Sequence, residues 1–242
     1  MTRTPHIRTR DAAPRRRLAV GVLLAAAVFG ATTLDHADAA PRSKSEVVAA
    51  QADSALEALA SWRTTHDPSD YVRFVQARQQ TASLTASDLE IDAEQLNHEW
   101  QTVDIDKQQA VLAALSQLGV PYRSMTSKPG VGFDCSGLTI WAFDQAGLEL
   151  PRNSGDQFRV ADEIEQHDAG AGDLVYYPGH VGIYLGVDMM VHSPNSGSHV
   201  EARGLPERSH RFGDLAEMMQ PVVASPVGQL SATLMDWATS VS

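Results

Sequence analysis

Residues 173–193 read DLVYYPGHVGIYLGVDMMVHS. Three short apolar or alternating runs lie within it: DLVYY (173–177), HVGIYLG (180–186) and DMMVHS (188–193). Pro178-Gly179 and Gly186-Val187-Asp188 separate them, and both are turn-forming stretches. Runs of this length and period predict strands, and turns this tight join antiparallel neighbours. The residues before them carry a helical period instead. KQQAVLAALSQLG (107–119) reads as an amphipathic helix closed by Gly119. CSGLTIWAFDQAG (135–147) reads as another, closed by Gly147, with Leu138, Trp141 and Ala142 spaced for burial. VPYRSMTSKPGVGFD (120–134), rich in turn formers, is a long loop between them. Helices followed by consecutive strands predict an α+β fold, with helices packed on a small antiparallel sheet.

Working outward, the residues before this block form an all-helical region. From Ser45 to Trp62, Val48, Ala52, Ala55, Leu59 and Trp62 recur at four- and three-residue steps and share one face. HDPSD stops that helix. Asp67-Pro68 is an N-cap followed by proline at the first helical position, and Tyr71, Phe74, Val75 and Arg78 continue a second helix. Ser87-Asp88-Leu89-Glu90 has the S-x-x-E form of a capping box. It predicts the start of a third helix, with Leu89, Ala93, Leu96 and Trp100 on one face. No catalytic constellation is visible there, and His66 and His98 read as surface or boundary residues. At the other end, Leu230, Leu234 and Trp237 leave a weak helical pattern.

The first residues, MTRTPHIRTRDAAPRRR, are basic and poor in acids. The apolar run Leu18–Ala31 has 14 residues, short of the about 20 a membrane span needs. Ala37-Asp38-Ala39 follows as an A-x-A cleavage site, so residues 1–39 read as a secretory signal peptide cut after Ala39. Arg15-Arg16-Arg17 is also compatible with a twin-arginine route, and the sequence leaves the route open. The expected organisation is thus signal 1–39, helical region 40–105, α+β domain 106–222 and tail 223–242. Secretion or a cell-wall location is expected, with no integral membrane span once the signal is removed. The leader holds six arginines and three aspartates; without them 13 basic and 27 acidic residues remain, a net charge of −14. That balance excludes nucleic acid and anionic membrane as partners, since both need basic patches.

Cys135, within GFDCSG (132–137), is the only cysteine. An exported chain with one thiol has no internal disulfide, so the residue is either a small buried hydrophobe or a reactive group. It sits where a glycine-rich loop becomes an apolar helix. Unpaired N–H groups and the dipole at a helix start favour the thiolate, so its pKa is expected to be lowered. A nucleophilic thiol needs a base, and the base an orienting group. His180 begins the strand HVGIYLG and His192 ends DMMVH; in a hairpin about Gly186–Asp188 the two rings meet at one end of the sheet. A Cys135–His180–His192 relay follows. His199, after PNSGS, reads as a loop residue, and His167 lies in an acidic loop. No C-x-x-C or H-E-x-x-H spacing is present and SKPGVG lacks the phosphate-loop pattern, so neither a metal nor a phosphate site is expected.

PY…GFDCSGL, LPRNSGDQ, AGDLVYY and GHVGIYLG…MVHS, in this order, resemble the NlpC-type cell-wall endopeptidases, a bacterial branch of the papain-like cysteine peptidases. The resemblance runs from about residue 107 to about 220. It implies a papain-like fold without a cofactor, and peptidoglycan stem peptides as the substrate. Cys135 matches the family's nucleophile, His180 its general base and His192 the polar residue that orients the base. Tyr122 matches a tyrosine that helps form the oxyanion hole with the Cys135 N–H. Asp134 and Ser136 fall at positions that help recognise the stem peptide in relatives, while Arg152 and Gln157 read as structural or rim residues. The implied reaction is hydrolysis of a bond between D-glutamate and a diamino acid such as diaminopimelate. Many members continue the tyrosine as P-Y-x-W-G-G; here the stretch is Pro121-Tyr122-Arg123-Ser124-Met125-Thr126, so the wall beside the nucleophile differs. Arg123 is a candidate partner for a stem-peptide carboxylate. A non-catalytic wall-binding or adhesion module, and an amidase, thiol acyltransferase or transglutaminase on the same architecture, are the alternatives. The sequence names no protein partner.

Overall fold

The computed structural model describes residues 43–218; the leader 1–39 and the tail 223–242 lie outside them. Helix α1 (Lys44–Thr65) opens with a capping box, in which Ser43 Oγ accepts from Glu46 N–H and Glu46 Oε2 accepts from Ser43 N–H. It buries the face read from the sequence, Val48, Ala52, Ala55, Leu59 and Trp62. His66 takes a left-handed conformation, and Asp67 then caps α2 (Pro68–Leu89), with Pro68 at its start as expected. The third helix begins later than the S-x-x-E pattern predicts. Residues 87–89 are the last turn of α2, Glu90 is its left-handed C-cap, and Asp92 caps α3 (Ala93–Thr102) by accepting from Gln95 N–H. The short turn at Glu90-Ile91 supplies the break, and a second side-chain cap lies within reach just beyond it.

Helix α4 (Ile105–Ser116) corrects a larger expectation. It is not amphipathic on a surface: every residue from Asp106 to Ser116 except Gln109 is buried. Helix α1 packs on one side, while α5 (Cys135–Gln145) and the sheet pack on the others. Its apolar residues carry the core, and Val111, Leu112 and Leu115 contribute about 1.5–3 kcal/mol each on burial. Its polar residues find buried partners in place of water. Asp106 Oδ1 accepts from Arg63 of α1 (2.5 Å), and Gln108 Oε1 accepts from Arg78 of α2 (3.0 Å). Lys107 Nζ donates to Asp173 (2.5 Å) and Asp214 (2.7 Å) of the sheet layer.

The remaining elements are a short ribbon of β1 (Ser127–Lys128) and β2 (Gly132–Phe133), a short helix α6 (Ser154–Val160) of about two turns, and the strands β3 (Asp162–Ile164), β4 (Leu174–Tyr177), β5 (His180–Gly186), β6 (Met189–His192), β7 (Glu201–Gly204) and β8 (Arg211–Asp214). The last six form one antiparallel sheet in the order β3-β8-β4-β5-β6-β7. Strands β4, β5 and β6 are the three runs of the opening stretch. Strand β5 is buried at every position, because α4 and α5 cover one face and a smaller cluster of Val175, Tyr184, Met190 and Phe212 fills the other. Helix α3 braces the far end of β5, where Trp100 Nε1 donates to the Leu185 carbonyl (2.8 Å). Gly172, at φ 96°, lets the chain turn into β4 directly over Lys107; a Cβ there would stand 2.7 Å from the lysine Cβ.

Burial pulls the Lys107 ammonium down, but Asp173 and Asp214 outweigh it and hold the group above the usual lysine value. Burial pushes Asp173 up to about 6 against the pull of Lys107, which leaves it ionised at pH 7. Replacing Lys107 with Met removes the counter-charge of two acids, one of them fully buried. The expected cost is about 3–5 kcal/mol of folding stability, read as a lower urea midpoint, with part of the loss recovered by adding Asp173→Asn.

Candidate active site

The loop after α4 is held at both ends before it reaches the cysteine. Gly119 and Tyr122 N–H groups donate to the carbonyls of Val200 (2.9 Å) and Ser198 (2.9 Å), and Arg123 N–H donates to Phe133 O (2.9 Å). Asp134 then caps α5: its Oδ1 accepts from Gly137 N–H (2.8 Å). Its Oδ2 accepts from Met125 N–H (2.7 Å) and from Arg152 Nη2 (2.6 Å). Arg152 Nη1 also donates to Ser136 Oγ (2.7 Å). Gly137 is needed for space, since a Cβ there would run into the Thr126 carbonyl oxygen and lie 2.9 Å from Asp134 Oδ1. Each residue around Cys135 in the DCSG run therefore has its own task in seating the helix start.

Cys135 is half-buried at the first position of α5, and its thiol faces the backbone N–H groups of Val181 and Ser136. Val181 follows His180, so the thiol lies against the start of β5. The hairpin meeting expected from the sequence is present. His180 and His192 come from the outer ends of β5 and β6, and His180 Nε2 lies 2.8 Å from His192 Nδ1. A residue not foreseen extends this line: His192 Nε2 lies 3.4 Å from Glu201 Oε1, across the β6–β7 register pair His192–Glu201. A carboxylate only accepts, so His192 Nε2 carries the proton that points to Glu201. Its Nδ1 then accepts from His180 Nε2–H. His180 Nδ1 is left with a free lone pair, the form a general base requires. Glu201 gives no signal in the sequence, because Glu-Ala-Arg-Gly has no strand-like apolar alternation.

Tyr122 is half-buried beside this site; burial, then Asp134 and Cys135, push its hydroxyl up. Asp134 and Ser136, expected to meet substrate, are engaged with Arg152 and the α5 cap. Arg123 is exposed, its stem resting over Gly132. Gln157 is fully buried and structural: it accepts from Thr139 Oγ1 (2.6 Å) and donates to the Ser136 (3.0 Å) and Pro151 (2.9 Å) carbonyls. Its short helix α6, capped by Asn153, is too brief to show a period. Among the described residues, no group of three or more His, Cys, Asp or Glu is placed to hold a metal ion.

The electrostatics differ from the expectation of a lowered thiol pKa. Burial pushes the Cys135 thiol up, the Val181 and Ser136 N–H groups pull it back in part, and Asp134 pushes it up again. The helix-start N–H of Gly137 is already taken by Asp134. Burial, His192 and Arg208 lower His180 to about 3, while burial, Arg203 and Arg208 lower His192 to about 4. The free site thus rests as a thiol beside two neutral imidazoles, not as a thiolate–imidazolium pair. Alkylation of Cys135 by iodoacetamide is expected to accelerate with pH through 7–9 without a plateau below 7. A plateau reached by about pH 6 would reveal a preformed ion pair.

The model of the NlpC/P60 family matches residues 119–212. A bifunctional muramidase/DL-endopeptidase of Bacillus subtilis is 44% identical over 92 residues, covering 35% of this chain and 28% of that protein. A probable endopeptidase of Corynebacterium glutamicum is 31% identical over 206 residues, covering 83% of this chain and 93% of its own length. A match of that extent takes in the helical layer α1–α3. The P60 domain of a Mycobacterium avium subspecies paratuberculosis antigen has 28% identity and a TM-score of 0.42, over 51% of this chain and 98% of that domain. The chain spans only about a quarter of the length of the Bacillus protein and of the mycobacterial probable endopeptidases it matches.

Proposed function

The chain belongs to the NlpC/P60 family, and on that premise we propose that it is a secreted peptidoglycan endopeptidase working through a cysteine nucleophile. The observation that carries this reading is the 2.8 Å bond between His180 and His192, set at the strand end that faces the half-buried thiol of a helix start. The proposed bond joins D-glutamate to a diamino acid of the stem peptide. His180 Nδ1 takes the proton as the Cys135 sulfur attacks the carbonyl carbon. The Cys135 N–H and the Tyr122 hydroxyl hold the oxyanion. Collapse expels the amine, which receives the proton from His180, and leaves a thioester. Water, deprotonated by the same imidazole, releases the acid and restores the thiol. A neutral resting site suits this general-base route, because the proton moves only when substrate is in place.

Residues 1–39 are proposed as the export leader and the helical layer as a scaffold. Helix α3 meets β5 at Leu185, about 17 Å along the strand from His180 at a rise of ~3.3 Å per residue, which favours support over obstruction of the cleft. A chain shortened to begin at Asp104 is expected to lose solubility and cooperative melting, because α4 loses its cover. A large gain in cleavage rate would instead identify the layer as a restraint.

Purified muropeptides with product analysis test the main reading. The expected products end in D-glutamate and begin with the diamino acid. Cys135→Ala should show no turnover, and His180→Ala a loss of about 10²–10⁴-fold. Undiminished cleavage by Cys135→Ala, or release of intact stem peptide from the glycan, would replace this reading with another activity.

A further inference from the structure

Two imidazoles joined by one hydrogen bond leave a choice open. His180 Nε2 and His192 Nδ1 lie 2.8 Å apart, and one proton lies between them. If His180 carries that proton, its Nδ1 is a bare lone pair and His192 is protonated on Nε2. If His192 carries it, His180 is protonated on Nδ1 and its lone pair is used up inside the pair. The first state can take a proton from a thiol; the second cannot. Both have the same rings, the same charge and the same bond between them. The pair by itself therefore does not choose.

Its surroundings bear on that choice. The rings are 8% and 4% exposed, so water has little access to either. Tyr177 stacks on His180, with centroids 4.7 Å apart and planes within 16°, and fixes the plane of that ring. Gly182 leaves room for the second ring, since a Cβ there would stand 3.0 Å from His192 Cβ. Neither contact selects a proton. Glu201 does. Among the described residues it is the one carboxylate within 4.0 Å of either ring, 3.4 Å from His192 Nε2. It stands opposite His192 in the β6–β7 register, so strand pairing fixes its backbone. Arg203 lies two residues further along the same face of β7, and its Nη1 is 3.6 Å from the same Glu201 Oε1. A cation there favours an oxygen at that point over an N–H donor.

We propose that Glu201 is a positioning residue: set by the β7 register and steered by Arg203, it holds the His192 proton on Nε2 and thereby keeps His180 Nδ1 open for the proton of the thiol. It acts through His192 and not on the reacting atoms. The proposal rests on the reading of Cys135 and His180 as the cutting pair. A second effect has the same sign. The pair gains a positive charge when His180 takes the proton; Arg203 and Arg208 oppose that charge and the Glu201 carboxylate offsets it.

Two substitutions of similar length separate this role from a packing role. Glu201→Met fills the space and removes the acceptor; Glu201→Gln keeps an acceptor and removes the charge. The ring protons are read by ¹⁵N NMR at pH 7, where His180, lowered to about 3, and His192, lowered to about 4, are neutral. The unaltered protein is expected to show His180 Nδ1 bare and His192 Nε2 protonated. Glu201→Met should populate the reversed pattern and lower kcat on muropeptides at least ~10-fold with KM within about twofold, the size of one lost charge-assisted hydrogen bond. Glu201→Gln should restore the proton pattern and recover part of the rate. An unchanged pattern in Glu201→Met, or an unchanged kcat, would overturn the proposal. The spectra need no substrate, and turnover by Cys135→Ala reports separately on the cutting pair.

Discussion

Three consecutive side chains, Asp106, Lys107 and Gln108, tie the molecule together. Each lies on α4 and each bonds to a different layer: Arg63 of α1, the Asp173–Asp214 pair of the sheet, and Arg78 of α2. Buried polar groups are costly without partners and firmly directional with them. The helix therefore has one acceptable rotation and one acceptable depth between its neighbours. Its apolar residues supply most of the burial energy, and this polar triplet decides where that energy is collected.

The same economy governs the site. Asp134 accepts from Gly137, Met125 and Arg152, and so joins the helix start, the loop after α4 and the segment before α6 in one carboxylate. Cys135 is placed by that junction, and its thiol rests against the Val181 N–H at the start of β5. On the opposite side, a hairpin sets His180 against His192, and the next strand adds Glu201. Two acceptor-directed bonds in series assign the protons of both rings and leave His180 Nδ1 without a proton. The constellation is preorganised by backbone register and capping, which hold geometry more tightly than long side chains on loops could.

Charge is distributed to suit such a site. The protein as a whole is acidic, yet burial lowers both imidazoles, helped by His192 and Arg208 at His180 and by Arg203 and Arg208 at His192. The helical layer packs against α4 and the far end of β5, where it completes the core.

Much of this was legible in the residues. The strands 173–193, the helices at 45, 68, 107 and 135, and the pairing of His180 with His192 all follow from local periods and one tight turn, because strand alternation and hairpin register are short-range properties. Other features were not legible. Ser87–Glu90 looks like a helix start and is a helix end, since S-x-x-E chemistry is decided by which neighbouring turn the tertiary packing keeps. Helix α4 looks amphipathic and is enclosed, because its polar face meets Arg63, Arg78, Asp173 and Asp214 from distant parts of the chain. The thiol's place at a helix start suggests a lowered pKa, yet it is pushed up, because burial, with Asp134, outweighs the Val181 and Ser136 N–H groups. The residues by themselves determined most of which segments fold into which elements and which side chains are candidates for chemistry; only the tertiary structure brought Glu201 to His192, set Arg203 and Arg208 near the imidazoles, and pushed the thiol up and both imidazoles down, because these depend on desolvation and on charges brought close through space.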